Sequence, residues 1–354
     1  LLVMGYLLGS NLATDVPIYI LALVIGVYQI FHASINLVTY VLYRKNKIRP
    51  RFRLLLDGLV LVFLGGTSLL SSTGNSVFQL FVLGAYFFLY GVSNIRDGFL
   101  FEEEIGKNHL KRRIRISLPI VLAALIPART LAKVNKFMLE NADEEEDIHL
   151  GIVKSGKTAE LEIFVHTAET SLFSAIGHVD ICYQGRVISY GNYDPSSETL
   201  FGMVGDGVLY FCDRDKYIDL CKRESQKTLF GYGIDLTPEM EKAVQKKLAE
   251  LKQLTIPWEP SADKIMTGDG KEDYTYAYKI RHETDGELYK FIKSKFKSYF
   301  VLSTNCVLLA DTIVGQAGTD ILSPKGFIAP GTYQAYLNRE FEKPNSIVVS
   351  KHVY

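Results

Sequence analysis

A chain of 354 residues with 39 basic and 39 acidic side chains, 48% of it hydrophobic, has room for two domains and carries no net charge. It contains no phosphate-binding glycine loop and no nucleic-acid motif, which sets those classes aside. Its four cysteines (Cys182, Cys212, Cys221, Cys306) include no C-x-x-C pair, so neither a metal site nor another cofactor is expected.

The neutrality conceals two unlike halves. Up to Glu140 there are 15 Lys+Arg against 7 Asp+Glu, a charge of +8, and the remainder holds 24 against 32, or −8. The basic half is also the apolar half. Its runs Pro17–Tyr43, Leu54–Leu70 and Val77–Val92 each approach the roughly 20 residues that cross a bilayer as a helix. Leu1–Leu8, which lacks an initiator Met, reads as the tail of an earlier span, so the sequence is expected to continue upstream.

Basic residues set the expected orientation. Arg44, Lys45, Lys47, Arg49, Arg51 and Arg53 crowd the first loop, and Lys107, Lys111, Arg112, Arg113 and Arg115 follow the third span. The Ser71–Ser76 linker is uncharged, so both basic loops belong in the cytoplasm and that turn outside. Ile116–Leu139, with Arg129, Lys133 and Lys136 on one helical face, reads as a further crossing; lying flat as an interfacial helix is the alternative. Crossing would place everything after Glu140 outside the cytoplasm. Among polar residues in the spans (Gln29, His32, Asn36, Asp57), Asp57 lies within one turn of the basic loop and is expected to snorkel or pair with Arg.

Residues 141–156, with Glu144, Glu145, Glu146 and Asp147, read as an acidic linker, and 157–354 as a water-soluble α/β domain. Strand-like runs are Leu161–His166, His178–Tyr183, Arg186–Tyr193 and Gly207–Cys212, with a tight hairpin turn at Gln184-Gly185. Thr237 and Pro238 open a helix that continues to about Leu254. Pro257–Asp273 reads as a loop, and Lys290, Lys293, Lys295 and Lys297 as one solvated helix face. Phe300–Leu302 leads into a helix from Cys306 to about Val314. The cysteines default to buried reduced thiols, with a Cys212–Cys221 disulfide the alternative outside the cytoplasm.

Two positions carry chemistry. A thiol attacks as thiolate, and a helix N-terminus favours that anion through its unsatisfied N–H groups, which also suit an oxyanion hole. Cys306 opens an apolar helix behind the capping residues Thr304 and Asn305. His178 opens an alternating strand and is the candidate base, with His166 its rival. A two-residue hairpin pairs Tyr183 with Arg186, so Asp180 faces Ser189 and His178 faces Gly191. His178, Asp180 and Ser189 then share one face while Asn192 points away. Ser189 is the first choice to orient the imidazole, Asn192 the second and Asp194 the third.

The blocks SLFSAIGHVDICYQGRVISYGNYDP, GVLYFCDRDKYIDLCKRESQ, IDLTPEMEKAVQKKL and STNCVLLADTIVG occur in the order and spacing of the Lnb-type periplasmic domain family, which the chain resembles over about residues 160 to 320. That resemblance implies a circularly permuted papain-like fold related to NlpC-type peptidases and lecithin:retinol acyltransferase-like enzymes, with His before Cys along the chain. Ile176 stands where the family has Phe, and Ser189 where it often has Asp. The first 130 or so residues, with LLDGLVLVFLGG and LYGVSNIRDG, resemble small HdeD-like bacterial membrane proteins.

The expected whole is a membrane helical bundle (1–140) joined to an α+β, permuted papain-like domain with a small antiparallel sheet packed on helices. The function expected is a membrane-tethered thiol hydrolase or acyltransferase of the bacterial cell envelope. Its partners would be the lipid bilayer and a membrane- or wall-associated ester or amide, with no nucleic acid. The competing readings are a non-catalytic envelope-binding module and a small transporter with an extracytoplasmic cap.

Overall fold

Two helices and a long antiparallel sheet organise this computed structural model, which describes residues 16–70, 152–153, 159–166, 177–225, 229–266, 272–315, 330–343 and 346–354, and the single positions 81, 84 and 88. The chain divides into two units, Leu1–Lys107 and Asn108–Tyr354. The span expected at Val77–Val92, apart from those single positions, and the segment Ile116–Leu139 lie outside the described residues, as does most of the acidic linker.

In the first unit, α1 (Val16–Lys45) and α2 (Phe52–Leu70) match the first two apolar runs. Both are long and apolar enough to cross a membrane by length and composition. Arg44 and Lys45 sit in the last turn of α1, where cations complement the helix dipole. The helices pack antiparallel, Gly65 against Ile30 and Gly58 against Leu37, because small residues let backbones approach. Leu23, Val27, Val41, Leu59 and Phe63 are exposed on the pair, a distribution compatible with membrane association. Asp57 lies 3.5 Å from Arg53 one turn away.

The second unit is α+β. Its strands are β1 (Ile152–Val153), β2 (Leu161–His166), β3 (His178–Tyr183), β4 (Arg186–Gly191), β5 (Val204–Asp206), β6 (Val208–Asp213), β7 (Leu229–Ile234), β8 (Thr255–Pro257), β9 (Lys264–Met266), β10 (Glu272–Tyr274), β11 (Glu287–Phe291), β12 (Ser298–Phe300) and β13 (Val348–Val353). Nine of them form one antiparallel sheet in the order β1-β13-β7-β2-β3-β4-β6-β11-β8, larger than the small sheet expected. The helices are α3 (Arg214–Ser225), α4 (Pro238–Gln253), α5 (Tyr276–Glu283), α6 (Cys306–Val314) and α7 (Pro330–Glu342).

Strand alternation splits the core. Ile163, Val165, Ile181, Ile188 and Tyr232 pack with residues of α4, α6 and α7. Phe164, Cys182, Val187 and Tyr210 pack with residues of α3 and α5. The β3–β4 hairpin turns at Gln184 and Gly185, both at positive φ, the combination that a two-residue turn matched to strand twist demands. Tyr183 pairs with Arg186, as the spacing predicts. Thr237 caps α4 by accepting from the Met240 N–H at 3.4 Å, with Pro238 in the first turn.

Two expectations are corrected. Pro257–Asp273 is not all loop, since β9 pairs with β10. The lysines from Lys290 to Lys297 do not share a helix: Lys290 lies on β11, its ammonium 2.5 Å from Asp194 and 2.9 Å from Asp206, while Lys295–Lys297 is a single 3-10 turn. Alternating β11 residues pack the sheet, so no 3.6-residue periodicity governs that stretch. All four cysteines are free and buried.

Gly207, between β5 and β6, has no room for a side chain. A Cβ there would lie 1.8 Å from the Phe296 carbonyl oxygen and 2.8 Å from the Tyr190 ring. Gly207→Ala must therefore move backbone, and should destabilise the second unit by about 2 kcal/mol or more. Urea unfolding followed through Trp258, the single tryptophan, checks this: an unchanged midpoint would show that the two segments are not clamped together.

Candidate functional site

The site lies at one end of the sheet, where β3 begins and β4 finishes. In the β2–β3 ladder His166 stands opposite His178 and Phe164 opposite Asp180. The β3–β4 register, continued from Ile181 and Ile188, puts Asp180 beside Ser189. His178, Asp180 and Ser189 thus share a face, and His166 joins them from the other side.

At the centre is the Asp180 carboxylate, 1% exposed. Its Oδ2 accepts from His166 Nε2 at 2.7 Å and from the Tyr217 hydroxyl of α3 at 2.5 Å. Its Oδ1 lies 2.8 Å from His178 Nε2. Burial pushes this carboxyl upward, but the charge of His178 and the hydrogen bond and charge of His166 hold it far below the usual carboxylate range. Asp180 is therefore an anion throughout the neutral range, and the imidazoles beside it feel its full field.

His178 Nε2 has two further neighbours, Ser189 Oγ at 2.9 Å and the Tyr193 hydroxyl at 3.0 Å, themselves 2.8 Å apart. The Nε2–H direction meets Ser189, whereas Asp180 Oδ1 sits off that axis and acts on the ring through charge. Burial pushes the imidazole down; the charges of Asp180 and Cys306 outweigh it, and His178 ends well above the ordinary histidine range. Cys306 lies near enough to the ring to act on it electrostatically. The His178 side chain keeps 25% of its surface exposed, whereas Cys306 is buried.

Cys306 arrives on α6, which packs against β3 and β4. Asn305 is the N-cap: its side-chain oxygen accepts from the Leu308 N–H at 3.0 Å and its amide donates to the Val301 carbonyl at 3.0 Å. Thr304 Oγ1 donates to the Ser298 carbonyl at 2.9 Å. Cys306 and Val307 occupy the first turn of α6, whose N–H groups have no partner within the helix. Burial drives the Cys182 and Cys212 thiols up, Cys182 to about 12.

Of the candidate residues, the structure brings together Cys306, His178, Ser189 and Asp180, with Asn305 as the helix cap. Asn192 and Asp194 lie elsewhere. Asn192 donates to Glu198 at 3.2 Å, and Asp194 caps the 195–197 turn and pairs with Lys290. Both follow the end of β4 and flank Tyr193, whose hydroxyl does reach the imidazole. His166 touches the carboxylate and lies beside the His178 ring, with centroids 5.6 Å apart.

Sequence reasoning does not reach Tyr193 or Tyr217. Burial raises both phenols, and Asp180 raises them further, so they remain hydroxyl donors. A signal for Tyr193 is present in Gly191: a Cβ there would lie 2.6 Å from the Tyr193 ring, so the glycine lets that ring fold back over the strand end. Tyr217 has no such marker in sequence. Among the described residues no group of three metal-ligating side chains exists. Compared with known protein families, with curated proteins and with solved structures, the chain matches none.

The two titrating groups predict a stability profile. The raised His178 contributes stability that is complete below its unfolded pKa of about 6.5 and is lost as pH rises through its folded value. The depressed Asp180 contributes stability present above about 3.9 and lost as pH falls below that. Melting temperature should thus be highest between roughly pH 4 and 6.5 as far as this pair decides it. Asp180→Asn should remove the alkaline decline assigned to His178; the same decline in wild type and variant would refute the coupling.

Proposed function

We propose that this chain is a membrane-tethered thiol enzyme that cleaves or transfers an acyl group, with Cys306 as nucleophile and His178 as its proton partner. The observation that carries the reading is a thiol on a helix N-terminus close enough to raise the His178 imidazole, whose Nε2 lies against Ser189, Tyr193 and a buried carboxylate. Raised as it is, His178 is the imidazolium at neutral pH, the charge state that supports a neighbouring thiolate.

The steps follow from that starting state. The Cys306 thiolate attacks an ester or amide carbonyl, and the oxygen that becomes negative is met by the Cys306 and Val307 amides. The imidazolium passes its proton to the leaving alcohol or amine, and an acyl-enzyme remains. Neutral His178 then takes a proton from the resolving group as that group attacks the thioester, which restores the thiolate–imidazolium pair. Water gives hydrolysis; an amine or hydroxyl gives transfer.

Ser189, where the resembling family often has Asp, would by itself favour a non-catalytic binding module. Asp180 offsets that departure from the neighbouring strand: it supplies the negative charge while Ser189 supplies the aligned acceptor. The His-before-Cys order and the antiparallel sheet are in keeping with the permuted papain-like reading. Helices α1 and α2 are compatible with membrane association; the reading adds to this a bacterial envelope, a second unit outside the cytoplasm, and a lipid, lipoprotein or peptidoglycan peptide as substrate.

Iodoacetamide near pH 7 tests the nucleophile. Cys306 should be alkylated while Cys182 and Cys212, whose thiols burial keeps protonated, stay unlabelled. Cys306→Ser should abolish labelling and His178→Ala nearly so, because members of a catalytic unit are strongly non-additive. Asp180→Asn should slow labelling about a hundredfold, and Ser189→Ala about tenfold, equivalent to about 1.4 kcal/mol of barrier. Labelling that is unchanged in both Cys306→Ser and His178→Ala would place the reactive thiol elsewhere and end this reading.

A further inference from the structure

Between the 195–197 turn and β5 the chain makes a tight loop with an unusual tip. Leu200, Phe201 and Gly202 all have positive φ, at 50°, 58° and 80°. Two consecutive large side chains in the left-handed region are uncommon, because each crowds its own backbone. The conformation is held by reciprocal backbone bonds between Thr199 and Val204 at 2.8 and 3.2 Å, and by Met203 N–H to Leu200 O at 3.2 Å. The strained backbone presents apolar surface outward: Leu200 is 48% exposed and Phe201 92%. Phe201 is the most exposed of the large apolar side chains among the described residues.

The base of this loop is joined to the nucleophile helix. The Val301 N–H donates to the Met203 carbonyl at 3.0 Å, and the Val301 carbonyl in turn accepts from Asn305, the residue that caps α6 immediately before Cys306. β5 also pairs with β12 along Val204–Phe300. The tip is thus two hydrogen bonds removed from the residue that positions the thiol.

We propose that Leu200 and Phe201 form a docking tip that enters the lipid surface beside Cys306, so that the acyl group handled by the thiol comes from a lipid of that leaflet. The occupant is taken as a lipid bilayer because α1 and α2 of the same chain have the length and apolarity to cross one. A large aromatic side chain presented singly on a rigid turn fits the interfacial layer, where an apolar ring is sheltered while the backbone beneath it stays hydrated. This inference rests on the thiol-enzyme reading for its substrate class and stands apart from it as a binding surface.

The test uses the full chain reconstituted in phosphatidylcholine vesicles with brominated acyl chains, which quench tryptophan at bilayer depth. Phe201→Trp, in a Trp258→Phe background, should lose at least half its emission relative to unbrominated vesicles and shift to the blue. Met266→Trp, on the exposed β9–β10 hairpin, should lose little. Should Trp258→Phe lower the melting midpoint, Trp258 is kept and its own quenching subtracted. Equal quenching at both positions overturns the proposal. So does a blue shift of the indole introduced at the tip without bromine quenching, which a second copy of the chain covering the tip would produce. Iodoacetamide labelling of Cys306 in the same vesicles separates the two readings. Labelling without tip quenching removes the docking surface alone, and tip quenching without labelling removes the enzyme reading and leaves a lipid-docking unit.

Discussion

A single carboxylate buried inside the sheet governs the second unit. Removing an ion from water costs several kcal/mol even after relaxation, and the cost is recovered only when every lone pair finds a good partner. Asp180 has two imidazoles and a phenol around it, contributed by β2, β3 and α3. Each partner is fixed in turn by its own element, so the ladder register between β2 and β3 and the seating of α3 against the sheet are both tied to one charge. A one-residue slip of β3 would carry the carboxylate into the opposite, apolar layer, where nothing could neutralise it. The same anion sets the charge state of His178. Fold specificity and chemistry therefore depend on one electrostatic contact.

Much of this is legible in residue order. The Gln184-Gly185 turn, the Thr237-Pro238 helix start and the Cys306 helix start are local signals, written in backbone preference and capping chemistry, and each is where the sequence puts it. The hairpin arithmetic also places Asp180 beside Ser189. What it misses is long-range. β7 does not read as a strand because Gly231 and Gly233 depress its strand signal, yet it lies within the sheet between β2 and β13. The role of Asp180 depends on His166 and Tyr217, which meet it from other elements. No spacing rule links residues 166, 180 and 217 before the sheet is assembled. Asn192 and Asp194 rank as orienters only by proximity in sequence, whereas Tyr193 between them is the residue whose hydroxyl reaches the imidazole.

The arrangement also clarifies how a serine can stand where a carboxylate might be expected. Orientation and electrostatics are separable tasks for the partner of a histidine: one needs an acceptor on the N–H axis, the other a negative charge nearby. Here Ser189 and Asp180 divide them across adjacent strands. A neutral acceptor on the axis leaves the proton on the imidazole, while the charge off the axis keeps the imidazolium favourable.

β13 has a consequence for how the unit is made. It pairs with β7 on one side and β1 on the other, and Tyr354 just beyond it donates to Glu162 on β2 at 2.7 Å while accepting from Arg214 at the start of α3. All of these partners precede Cys306 in the chain, whereas β13 follows it. During synthesis Cys306 is therefore translated before the strand that closes the sheet at β7, and for that interval β7 offers an open edge. Contacts of such long sequence separation form late and slowly. Until the residues after α7 emerge, that edge is open to incorrect pairing.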